Sequence, residues 1–117
     1  MKRGDVVTIA AGGPFTGKPR PAVIIQSDLF FLDSITVCLI TGEKLDTVVF
    51  RIAVEPNEQN QLREDSWIMA DKIVTLRRHH VRRVIGSLNE VDLRRLEQAI
   101  LIFLGLGNAA NAAVDGR

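Results

Sequence analysis

The stretch GKPRPAVIIQ, residues 17–26, decides how the rest of the chain is read. Four apolar residues, 22–25, run without interruption behind two prolines that bracket Arg20. A strand with one wet face alternates apolar and polar residues. A continuous run of strand length therefore predicts a strand covered on both faces, here 20–26. Pro19 and Pro21 fix φ at their own positions, and Pro21 also pushes Arg20 toward extended geometry. The sequence thus places a permanent charge, aimed by the backbone, at the mouth of a buried strand. The plainer account of Arg20 is an arginine that pairs with an acid at a strand end.

Outward from this strand, the first two-thirds of the chain has a strand pattern. DVVTIA (5–10) is short and β-branched, and AAGGPFTGKP (10–19) is a Gly- and Pro-rich loop. SDLFFLDS (27–34) is a connection with room for one short helical turn. ITVCLIT (35–41) reads as a second buried strand and VVFRIAV (48–54) as a third, with Arg51 facing water. SWIMADKIVTL (66–76) is a fourth, bent near Asp71, and VRRVIGSL (81–88) is a last short one. The period then changes. Asn89 suits an N-cap, and Glu90 and Asp92 lie in the first turn, where the helix dipole favours acids. Val91, Leu96, Ala99, Ile100 and Phe103 recur at helical spacing and Gly105 supplies the stop, which predicts a helix over 90–104. Short strands, Gly-rich turns and one terminal helix predict a mainly β fold with α: a small, strongly curved antiparallel sheet or barrel.

The 117 residues suit one domain, expected over 1–106, with a flexible tail over 107–117 whose small and polar residues have little to bury. Net charge is +1, but it is unevenly spread. Lys2, Arg3, Lys18 and Arg20 face only Asp5 in the first 24 residues, and Arg77, Arg78, Arg82 and Arg83 have no acid among them. Such spacing can build a basic face on a near-neutral molecule. One cysteine, Cys38, excludes an intrachain disulfide and reads as a small buried hydrophobe, which fits a reducing cytoplasm. No apolar run has the length of a signal peptide or a membrane span.

No metal-ligand spacing, dinucleotide fingerprint or Walker loop is present, so no cofactor is expected. His79 and His80, inside RRHHVRR, read as a solvated basic turn rather than a catalytic pair.

In order and spacing, MKRGDVVTI, KPRPAVIIQSD, TVCLIT, FRIAVEP, DSWIMADKIVTL and IGSLNEVDLRRLEQAILIFLGL resemble the MazF/PemK toxins of bacterial toxin–antitoxin pairs, across residues 2–106. The resemblance implies the small SH3-like barrel shared with the gyrase poison CcdB, usually a homodimer. It implies metal-independent cleavage of single-stranded RNA. The family's catalytic arginine and threonine fall on Arg20 and Thr41. A loop that includes Phe15 and Lys18 would border the RNA groove, Asp71 and Lys72 would contact bases, and Arg77 and Arg78 would extend the basic rim. An acidic antitoxin would share that groove. Gly42 departs from many relatives, which carry a side chain after the threonine.

The chemistry suits these residue types. When a ribose 2′-hydroxyl attacks the adjacent phosphate, negative charge builds on phosphorus oxygens. A guanidinium fork held in place stabilises it with little reorganisation. Thr41 would bond a phosphate oxygen or the 2′-hydroxyl; its plainer reading is a β-branched strand end. The general base is not identified, since arginine is too weak an acid to serve as one. Two other functions fit the same fold: a CcdB-like toxin that binds a protein target such as gyrase, and an RNA- or peptide-binding module without activity.

Overall fold

In a computed structural model, residues 1–10, 18–44 and 49–107 are described. Six strands form one antiparallel sheet: β1 (Asp5–Ile9), β2 (Arg20–Ile24), β3 (Ser34–Thr41), β4 (Arg51–Val54), β5 (Ser66–Arg77) and β6 (Val81–Ser87), in the order β4-β5-β3-β2-β1-β6. A 3-10 turn, Arg78–His80, joins β5 to β6, and α1 (Glu90–Leu104) closes the described chain. The fold is mainly β with one C-terminal helix, as expected. The edge strands β4 and β6 do not pair with each other, so the sheet curls without closing into a complete barrel.

The uninterrupted apolar run has a direct cause. Ala22, Val23 and Ile24 are all buried, but in two different places. Val23 joins Val6, Cys38, Ile40, Ile68, Leu96 and Ala99 in a core beneath α1. Ala22 and Ile24 join Val7, Ile9, Ile35 and Val37 in a second core on the opposite face. A strand between two cores must be apolar on both sides.

The helix ends as predicted. Asn89 Oδ1 accepts from the Asp92 amide at 2.8 Å, and Gly105 takes the left-handed φ of 68° that the final turn requires. α1 packs on β4 and β5. Its buried residues are Leu96 and Ala99. Val91, expected inside, is 67% exposed, because it lies off the face that Leu93, Leu96 and Ala99 turn to the core. The connection 27–34 makes one tight turn, Phe30 N–H to Ser27 O at 3.2 Å, rather than a helical segment. Leu29 and Phe31 on it are 87% and 83% exposed, so this loop belongs to neither core.

A loop over 55–62 is tied down by Asn60, which is 1% exposed. Its side chain accepts from the amides of Asn57 and Leu62, both at 3.0 Å, and donates to Glu55 O at 2.9 Å. Gly86 of β6 lies against this loop so closely that a Cβ would stand 2.7 Å from the backbone carbon of Asn60.

Candidate active site

Arg20 opens β2 opposite Ile9 of β1, and Thr41 ends β3 opposite Trp67 of β5. The β2–β3 ladder runs from Ile24↔Val37 to Ala22↔Leu39 and stops there. Two residues further on each strand, the same register sets Arg20 level with Thr41. Proline explains the stop. Ile25 donates its N–H to Thr36 of β3 at 3.1 Å, so every second residue of this segment, Pro21 included, directs its backbone toward β3. Pro21 has no N–H to give, and a rung is lost where the next would form. The result is a wedge between two strand ends, with Arg20 on one lip and Thr41 on the other. Lys18 and Arg20 are both exposed there. Phe15, expected to border the same groove, lies outside the described residues.

Thr41 is oriented by its own turn: its Oγ1 accepts from the Glu43 amide at 3.1 Å. Its hydroxyl hydrogen is free to seek an acceptor on a ligand. Gly42 has a local reason. The Glu64 carboxylate lies over it, with Cδ 2.9 Å from the place a Cβ would take, and Ser66 Oγ fixes that stretch by donating to Glu64 O at 2.8 Å.

Asp71 is brought in by an irregularity. Between the pairs Cys38↔Ile73 and Ile40↔Ile68, one residue of β3, Leu39, stands opposite four of β5, 69–72. The strand bends there, as expected, and Asp71 turns toward β4. Arg51 meets it: Nε donates to Asp71 Oδ1 at 2.9 Å and Nη2 to Oδ2 at 2.7 Å. Their side chains are 12% and 15% exposed. Arg51 was expected to face water; it is instead half-buried and fully engaged on one edge. The hydrogen bonds from Arg51 hold the Asp71 carboxyl below its usual range, although burial opposes this. Asp71, expected to contact bases, therefore has both oxygens committed within the protein. Lys72 is exposed beside it.

Arg77 and Arg78 are not gathered with the others. Arg77 pairs with Ser34, at the opposite end of β3 from Thr41, about 23 Å along the strand. Arg78 is committed to the 27–34 connection: its Nε donates to Leu32 O at 2.9 Å and its guanidinium lies 4.4 Å from the Phe31 ring centre. His79 and His80 are exposed in the 3-10 turn, edge to face with each other.

Trp67, next to Ser66 on β5, has a setting of its own. Its neighbours Ser66 and Ile68 are buried, so the indole points the other way, to the face that carries Thr41. It is half-buried and packs with neither core cluster. The alternation in SWIMA carried this signal, but not which face was open.

Residues 2–104 match the family of PemK-like, MazF-like toxins of type II toxin–antitoxin systems. A probable endoribonuclease MazF of Mycolicibacterium smegmatis is 42% identical over 107 residues, which span 91% of this chain and 98% of that protein. Among solved structures, an endoribonuclease in complex with its cognate antitoxin from a mycobacterial species superposes with a TM-score of 0.77 at 19% identity, over 92% of this chain and 97% of that one. The Mycobacterium tuberculosis toxin MazF-mt6 superposes with a TM-score of 0.75 at 22% identity, over 88% and 98%. At such identities the structural likeness is one of fold; the sequence match carries the kinship. The chain belongs to the PemK-like, MazF-like toxin family.

Proposed function

We propose that this protein is the toxin of a toxin–antitoxin pair and cleaves single-stranded RNA at the wedge between Arg20 and Thr41. The observation that carries this reading is the ladder that stops one rung short of them. It leaves an exposed guanidinium and a hydroxyl facing one gap, at the spacing of adjacent strands. A phosphate in that gap takes hydrogen bonds from Arg20, and Thr41 bonds a phosphate oxygen or the neighbouring 2′-hydroxyl. Attack of the 2′-oxygen on phosphorus then expels the 5′-oxygen of the next nucleotide, and Arg20 stabilises the charge that develops. No metal takes part in this scheme, and DNA, without the 2′-hydroxyl, is spared. Residues 1–106 form the working unit. The reaction takes place in the cytoplasm, on messenger RNA.

The named structural relative bound to its antitoxin supports a partner for this chain as well. An acidic, partly disordered antitoxin segment would compete with RNA for Lys18 and Arg20. A homodimer is supported by the exposed apolar surface of Leu29, Phe30, Phe31 and Leu32, which a monomer would leave in water. The deciding experiment is incubation of the purified protein with a long RNA in excess EDTA, beside Arg20→Ala. Wild type yields fragments with 5′-hydroxyl ends and the variant yields none. An Arg20→Ala protein that cuts as fast as wild type, or a wild type that needs magnesium, overturns the assignment.

A further inference from the structure

Beyond the wedge, the same face of the sheet carries a second arrangement of groups. The row Arg20, Thr41, Trp67, Ala53 crosses four neighbouring strands, since Thr41 pairs with Trp67 and Trp67 with Ala53. Ala53 is exposed and small, so the β4 residue paired with Trp67 has no large side chain to cover the indole. Arg51 lies two residues from Ala53 on β4, hence on the same face, opposite Met69. From Thr41, Trp67 is one strand away and Arg51 on the order of 12 Å away.

We propose that Trp67 and Arg51 form a base-reading subsite of the RNA groove, in which the indole stacks on a nucleobase and the Asp71-held guanidinium grips the paired acceptors of guanine. The proposal rests on the RNA-cleaving reading above and names what that reading leaves open, the residues that choose the sequence.

The geometry of Arg51 carries the guanine assignment. A guanidinium has five N–H donors in one plane. Asp71 takes one edge, through Nε and Nη2. Among the described residues Arg51 donates to no other acceptor. The adjacent edge, with Nη1 and the second Nη2 hydrogen, is still a fork of two parallel donors. It matches the O6 and N7 acceptors of guanine, the most frequent specific partner of arginine. The carboxylate also freezes the fork before any ligand arrives, so little side-chain entropy is lost on binding. Asp71 alone would repel RNA. Covered by Arg51, it acts as a positioning residue.

The indole supplies what the fork lacks. Stacking on an aromatic face is the general means of holding single-stranded bases. Trp67 is the half-buried aromatic on this face among the described residues, and it is committed to neither core. Two phosphate oxygens offer the same paired acceptors as guanine, so the test has to separate base from backbone.

Trp67 is the single tryptophan of the chain, which lets stacking be read without any variant at this subsite. Short RNA oligomers are titrated into the full-length Arg20→Ala protein, which removes cleavage from the readout. Guanine-containing oligomers should quench the indole fluorescence and bind about tenfold or more tighter than otherwise identical ones with adenine in place of guanine. In parallel, Arg51→Met/Asp71→Asn, which removes the pair without leaving a lone charge, digests a long RNA and the new ends are sequenced. The preference for guanine at one position of the cleaved motif should fall about tenfold or more, with the double variant shown to be folded by circular dichroism. An indole that is not quenched overturns the stacking role. A motif that is unchanged, or a uniform loss at every motif with the salt dependence lowered by about one charge, overturns guanine reading and marks a phosphate contact. If wild type cuts no RNA while the quenching persists, the cleavage reading falls and the subsite stands.

Discussion

Arg51 of β4 holds both carboxylate oxygens of Asp71 on β5, at 2.9 and 2.7 Å. The pair bridges two strands at the point where β5 bends away from β3. Its hydrogen bonds lower the Asp71 pKa, so the folded state binds its proton less readily than the unfolded chain. The resulting stability is complete above an ordinary aspartate pKa of about 3.9. It drains as the pH falls below that value toward the lowered native one. Asp71→Asn should therefore be less stable than wild type at pH 7, and the gap should narrow by pH 2–3. Urea melts across this range check it; a constant gap would show that the carboxylate charge contributes nothing.

Thr41 combines two roles that substitution can separate. Its Oγ1 accepts from the Glu43 amide, which leaves its hydroxyl hydrogen to donate to a ligand. Thr41→Ser keeps both and should retain cleavage within a few-fold. Thr41→Val keeps the shape and loses the donor. Removal of one such donor to a developing charge slows a reaction by about 10²–10³-fold, and a similar loss in kcat is expected here. Single-turnover cleavage of a short RNA measures it.

Cys38 lies in the core beneath α1 with no exposed surface, and burial, its main perturbation, pushes its thiol pKa up to about 12. At pH 8 the folded protein should therefore ignore thiol reagents. It should react with one equivalent only once unfolded in denaturant, and the reaction rate should follow unfolding. Rapid labelling under native conditions would show that the core opens far more readily than its packing implies.

Gly86 is required by a neighbour that cannot move aside. The atoms nearest to a Cβ there are backbone of Gln59 and Asn60, and Asn60 is itself fixed by three hydrogen bonds. Gly86→Ala should cost about 1–3 kcal/mol, in the range of other overpacked sites. Gly42→Ala is the control: its nearest neighbour is the end of the Glu64 side chain, which can swing away. Thermal melts should show a large drop for the first and a small one for the second.

The parts of this molecule that follow from local rules were legible in the sequence. The buried strand behind Arg20, the Asn89 cap and the Gly105 stop each depend on residues within one element. Contacts between elements were not. Alternation in VVFRIAV correctly separates Arg51 from Ile52 and Val54, but nothing along the chain announces Asp71 as its partner. That pairing depends on the offset between β3 and β5. Arg77 and Arg78 illustrate the same limit: a basic run declares its charge but not which end of the sheet receives it. The resemblance to the family pointed to Arg20 and Thr41. The missing rung that sets them apart was already written in Pro21, and needed only the register of the neighbouring strand to be seen.

That missing rung bears on any attempt to re-engineer the protein. A search for stabilising changes would see position 21 as a strand interior occupied by its least suitable residue, and would replace proline with valine. The new N–H would let β2 zip onto β3 past Ala22, and the wedge would narrow as the sheet became better knit. Pro21→Val should then show a protected amide at position 21, slower exchange at its β3 neighbours and little toxicity, a case where firmness and activity are exchanged for one another. A chain of that kind keeps Lys18 and Arg20 on its surface. With antitoxin docking on those two residues, as proposed, such a chain would cut no RNA itself yet draw antitoxin away and leave the native toxin active.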